Sequence, residues 1–226
     1  MNHASLFLFA TVQHVEFIAA LLDDPRVYSL TAVSRATMEL GAAAWRLTDP
    51  AIGARERAAR LSLDQPHSAR EYEKVLREAG LSREERGSCP SITETVTNIR
   101  SLGFEVEVGE RGSGGDRVDE FSRPSITTAM GSFAGREIET DSKRVYRLAS
   151  EVTHGTPWGL TMFFSPLDTS DGRLSSEFVV DQGWIDGVSL VAAESYAWAL
   201  GNFVLLLGWD AQPLRQWMMA IDALFG

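Results

Sequence analysis

Apolar residues return every three or four positions through most of this chain, and strict alternation is confined to short stretches. That pattern predicts helices almost everywhere. The first run spans Leu6 to Leu22 and is broken only by Gln13, His14 and Glu16 among its larger side chains, so a helix over 5–22 follows, with Ser5 as its cap. Asp23, Asp24 and Pro25 stop it, because proline disfavours a helical residue before it. A second helix is predicted over 27–47. There Val33, Met38, Leu40, Ala44, Trp45 and Leu47 are mixed with a charged stripe of Arg35, Glu39 and Arg46.

Thr48, Asp49 and Pro50 break that helix and start the next, which carries Arg55, Arg57 and Arg60 and is expected to be interrupted at Pro66. Further helices are predicted over 68–79, closing at Gly80, and over 91–102, closing at Gly103. Phe104 to Val108 alternates with period two and reads as a brief strand. Residues 109–120, with Gly112, Gly114 and Gly115 among charges, read as a mobile surface loop. The tetrapeptide Pro-Ser-Ile-Thr occurs at 90–93 and again at 124–127, each time as a helix start.

Helices over 140–154, 185–207 and 213–225 complete the pattern. Between the first two of these, the β-prone segments 161–164 and 175–180 flank the turn composition of 168–172, which predicts a hairpin arm within 161–180. Long helices, few strands and no βαβ alternation make the expected fold class all-α: a single helical domain over 1–226 with a small β-hairpin insertion.

Composition narrows the function classes. The chain has 226 residues and a formal net charge of −10, which argues against non-specific nucleic-acid or anionic-membrane binding, since phosphate neutralisation by cations supplies most of that affinity. The single cysteine, Cys89, cannot form an internal disulfide, so the expected compartment is the cytoplasm. The N-terminal run lacks a basic lead and a small-residue cleavage site, and no stretch reaches about 18 uninterrupted apolar residues, so neither a signal peptide nor a membrane span is expected. His3, His14, His67 and His154 have no paired spacing for zinc, and neither metal nor cofactor is expected.

Chemically capable side chains are densest in 145–158. Ser150 and His154 are four residues apart, which on a helix places both on one face, with Arg147 one turn before Ser150. A hydroxyl held by imidazole suits nucleophilic or acid–base chemistry, so Ser150 and His154 are candidate catalytic residues, and Asp116 beside the glycine-rich loop is a candidate mobile carboxylate. Arg35, Glu39, Arg57, Arg60, Tyr146, Arg147 and Trp158 are candidate substrate-binding residues, the guanidinium groups for an anion and Trp158 for lining a cleft.

The segment from Arg35 to Glu39, the following Ala-Ala-Trp-Arg-Leu-Thr-Asp-Pro to Pro50, Arg57 with Arg60, and the pattern Tyr146, Ser150, His154, Gly155, Thr156 resemble an uncharacterised group of helical actinobacterial proteins. That group is similar to the HEPN superfamily of helical bundles. The resemblance implies a ribonuclease or toxin in which Arg147 and His154, with six residues between them, flank a scissile phosphate across a dimer. The residues themselves suggest a different leading expectation: a lyase or cyclase of specialised metabolism, of the kind found in antibiotic biosynthesis, acting on a small anionic metabolite. In it a base abstracts a proton while an anionic group is displaced or eliminated. A third expectation is a non-catalytic subunit that stabilises a partner, in a homo- or hetero-dimer.

Overall fold

A computed structural model describes residues 3–22, 26–81, 90–109, 115–137, 142–168 and 174–225. In chain order the elements are α1 (His3–Leu22), α2 (Val27–Thr48), α3 (Ala54–Glu78), α4 (Ile92–Ser101), β1 (Val106–Glu107), β2 (Arg117–Val118) and β3 (Phe121–Ser122). They continue with α5 (Ile126–Glu137), α6 (Ser142–Thr153), α7 (Pro157–Thr161), β4 (Phe164–Asp168), β5 (Leu174–Phe178), α8 (Gln182–Leu206) and α9 (Gln212–Phe225). The protein is all-α, with small antiparallel additions: a sheet ordered β1-β2-β3 and the hairpin β4-β5.

The chain divides into two compact units, one formed by Met1–Pro50 with Ile126–Gly226 and the other by Ala51–Ser125. In the first, α2 is the central helix. Leu30, Met38, Ala42, Ala44 and Trp45 on α2 are buried together with Leu8 and Ile18 of α1, Met130 and Phe133 of α5, and Val188, Val191 and Ala192 of α8. Helices α2 and α8 run parallel. Trp184 Nε1 donates to Thr31 Oγ1 at 3.1 Å near their starts, and further along a Cβ built at Gly41 would stand only 2.8 Å from the Ser195 carbonyl oxygen. So close an approach requires small side chains. The buried hydroxyls of Thr31, Thr48 and Ser195 fit this seam because each bonds back to the carbonyl four residues earlier and leaves no unmet donor.

In the second unit Ala59 and Leu63 of α3 bury against Ile99 of α4 and against Phe104, Val106 and Val118. Ser91 caps α4 in a full capping box: its hydroxyl accepts from the Glu94 backbone N–H, and the Glu94 carboxylate accepts from the Ser91 N–H at 2.7 Å.

Several boundaries differ from the sequence pattern. Pro66 does not interrupt a helix; α3 is continuous, with Pro66 itself buried. Interior proline costs about 3 kcal/mol, and the shared burial of Ala59, Leu63, Ala69 and Leu76 on both sides of it offsets that cost. Ser5 lies inside α1 and does not cap it. The strand expected over 104–108 shrinks to Val106–Glu107, and part of the expected loop 109–120 is strand β2. The hairpin begins at Phe164, because 157–161 forms α7. Both Pro-Ser-Ile-Thr copies do precede helices, which begin at Ile92 and Ile126. Residues 23–25, Cys89, Gly112 and Gly114 lie outside the described residues.

Two helices, Ala4–Leu22 and Gln182–Leu206, are long and apolar enough to cross a membrane, a test that core helices of globular proteins also meet. Polar residues interrupt both runs, Gln13, His14 and Glu16 in the first and Glu194, Ser195 and Asn202 in the second, which is why the sequence pattern predicts no span there.

Candidate functional site

Helix α6 has two contrasting faces. Ser142, Tyr146, Ala149 and Val152 are buried at helical spacing, and this inner face packs against α2. The outer face carries Lys143, Arg144, Arg147, Leu148 and Glu151. Helix α7 follows at once because Thr156 caps it, accepting from Gly159 N at 3.1 Å, and Pro157 occupies its first position. Gly159 is pressed against α6: a Cβ there would lie 2.5 Å from the Glu151 carbonyl oxygen and 2.7 Å from Val152 N. Only glycine permits this seat, and it sets Trp158 beside the outer face of α6.

Between them lies a groove of about 510 Å³ lined by Lys143, Arg144, Arg147, Leu148, Glu151 and Trp158. No ion pair or hydrogen bond among the described residues engages the head groups of its three cations. Glu151 is held differently. Its Oε2 accepts from Thr156 Oγ1 at 2.8 Å, which orients the carboxylate without neutralising it. Lys143 lies over Gly131 of α5, with its Nζ 3.3 Å from where a Cβ there would sit. Trp158 is 58% exposed and lines the groove.

Of the residues singled out from sequence, Arg147 and Trp158 meet here. Tyr146 points to the opposite side, where its hydroxyl donates to Glu39 Oε1 at 3.0 Å. The same oxygen pairs with Arg35 Nη2 at 2.7 Å. Burial, and then the Glu39 charge, push the Tyr146 hydroxyl above the usual tyrosine range, so it stays protonated and fastens α6 to α2. Arg35 Nε is buried without a hydrogen-bond partner among the described residues.

Ser150 and His154 are not brought together at the groove. Helix α6 ends at Thr153, His154 is exposed just beyond it, and the link between the two residues is the His154 N–H donating to the Ser150 carbonyl at 2.9 Å. Neither lines the groove. Asp116 is not a mobile carboxylate either. It is buried in the second unit, ion-paired with Arg70 and accepting from Gly109 N at 3.3 Å. Arg57 donates to the Ile52 carbonyl at 3.0 Å and Arg60 to Glu56 at 2.6 Å, both within the second unit, whereas Arg35 and Glu39 belong to the first.

Lys143, Arg144, Leu148 and Glu151 are not among the residues that the sequence pattern singled out. The available signal was the pairs 143/147, 144/148 and 147/151 at helical spacing, followed by a glycine-proline stop and a tryptophan. Among the described residues no cluster of three or more His, Cys, Asp or Glu could hold a metal ion. Comparison with protein-family models, curated proteins and solved structures finds no match to this chain.

Proposed function

We propose that this protein binds a small anionic metabolite in the α6–α7 groove and acts on it as a lyase or cyclase. One observation carries the reading: in a chain of net charge −10, three cations without partners among the described residues converge on one groove beside an oriented carboxylate. Lys143, Arg144 and Arg147 hold the anionic group through charge-assisted hydrogen bonds, each contributing about 1.5–3 kcal/mol. Glu151 is the base in place of His154. It takes a proton from the substrate, and the freed electron pair forms a double bond or closes a ring onto the neighbouring carbon. As that bond forms, the bond from the same carbon to the leaving group breaks, with both electrons departing on the anion, whose charge the cations stabilise.

Thermal shift and calorimetry with phosphate, pyrophosphate and sulfate test the binding half. At least one should raise the melting temperature at low salt, and Arg147→Ala should weaken it by about tenfold or more. No stabilisation by any of them sinks the reading. The chemical half is tested by anion release from substrates bearing phosphate or sulfate beside an acidic C–H or N–H. Glu151→Gln should reduce kcat by about a hundredfold or more with binding retained.

A further inference from the structure

We infer that the ligand of this groove is a phosphate monoester of an alcohol whose skeleton also carries a flat aromatic ring, with the ring stacked on Trp158 and the phosphate held by Lys143, Arg144 and Arg147. The inference rests on the reading that the groove takes an anion, and it adds two claims, one about the ring and one about the charge.

The ring claim follows from how Trp158 is held. A large aromatic side chain left 58% exposed loses hydrophobic stabilisation, yet this one sits on a short helix that cannot drift. Thr156 caps that helix, Pro157 fixes its first turn, and Gly159 locks it onto the α6 backbone at a separation no larger residue could meet. An open aromatic side chain on an anchored backbone is a partly preorganised stacking platform, because only its own χ rotations remain to be fixed when a ring lands on it. Leu148, half-buried in the same groove, supplies an apolar flank.

The charge claim follows from the partners. Glu151 is already engaged by Thr156, so three cations face one oriented carboxylate and the groove keeps an excess of two positive charges. A phosphate monoester near pH 7 carries close to two negative charges, whereas a carboxylate carries one. Arg144 and Arg147 also offer the planar forks that match phosphate oxygens. The open groove, about 510 Å³, has room for a small organic group beside an oxyanion.

The test is calorimetry on the full chain with four probes: 1-naphthyl phosphate, inorganic phosphate, 1-naphthoate and 1-naphthol. The naphthyl phosphate should bind about five- to tenfold more tightly than inorganic phosphate. Naphthoate should be weaker than the phosphate ester, and naphthol should show no measurable binding. Trp158→Ala should erase the advantage of the ring while leaving affinity for inorganic phosphate unchanged, and Trp158→Phe should restore most of it. Arg147→Ala should weaken both phosphates alike. Gly159→Ala should repeat the Trp158→Ala loss with Trp158 still present, which a merely accessible surface tryptophan would not show.

Equal affinities for the two phosphates, or an advantage that survives Trp158→Ala, overturn the ring while the anion reading stands. Naphthoate binding as tightly as the ester overturns the phosphate. Absence of binding by every anion overturns the inference together with the function it rests on.

Discussion

Asp116 and Glu151 show how one carboxylate group meets different surroundings in the two units. Asp116 has a side-chain exposure of 3% and is paired with Arg70, so removing the charge of one partner leaves the other poorly compensated. Asp116→Ala should therefore destabilise the protein by about 2 kcal/mol or more, read as a fall in the denaturant midpoint, with no effect on ligand affinity in the groove. His67 lies in the same unit. Burial first, then Arg123 and Arg70, lower its pKa below the ordinary histidine value, and Glu71 and Asp116 only partly oppose them. The folded state thus prefers neutral His67. Its contribution to stability is complete above the unfolded value of about 6.5 and is lost as pH falls through the lower folded value. Melting temperature should decline on acidification below that range, and His67→Gln should flatten part of the decline. An unchanged acid limb in that variant would mean the histidine is solvated in the folded protein.

Between elements, the α2–α8 seam has the least tolerance. Overpacking a tight interface costs about 1–3 kcal/mol, and Gly41→Ala would drive a methyl group into the Ser195 carbonyl, which is backbone and cannot rotate away. For a chain of this length the loss should lower the melting temperature by roughly 2–10 °C. Gly41→Ala behaving like wild type would show that the two helices slide apart freely. The same features explain which parts of the fold were legible in sequence. Helices α2, α6 and α8 follow from apolar periodicity, and their ends fall within three residues of the expected ones because stop signals such as Gly155 with Pro157 act locally. Pro66 misled because helix-breaking is local whereas the burial that overrides it is tertiary. A third of the site was equally visible. Arg147 and Trp158 stand out as types, but Lys143 and Arg144 look like ordinary solvated charge until α7 folds back, and that fold depends on Gly159 meeting the Glu151 carbonyl. Ser150 and His154 drew attention by their reactivity, which says nothing about which way a helix presents them.

For the whole molecule, a net charge of −10 limits what size of anion the proposed groove could take. Surface charges farther than a Debye length, about 8 Å at physiological ionic strength, are largely screened. A small dianion seated in the groove is governed by Lys143, Arg144 and Arg147, whereas a long polyanion also crosses surface where carboxylates outnumber cations. Three phosphate contacts on a single strand would give a salt slope of about −2, so even groove-only binding would weaken roughly twentyfold between 50 and 200 mM salt. Single-stranded RNA should accordingly show no measurable retention by the purified protein at physiological salt and no cleavage on prolonged incubation. The small phosphate ester should stay bound under the same conditions. RNA degradation that disappears in both Arg147→Ala and His154→Ala, with helicity and melting temperature preserved, would instead place the phosphodiester across α6 and its exposed C-terminal histidine, and the metabolite reading would give way to the nuclease implied by the HEPN resemblance.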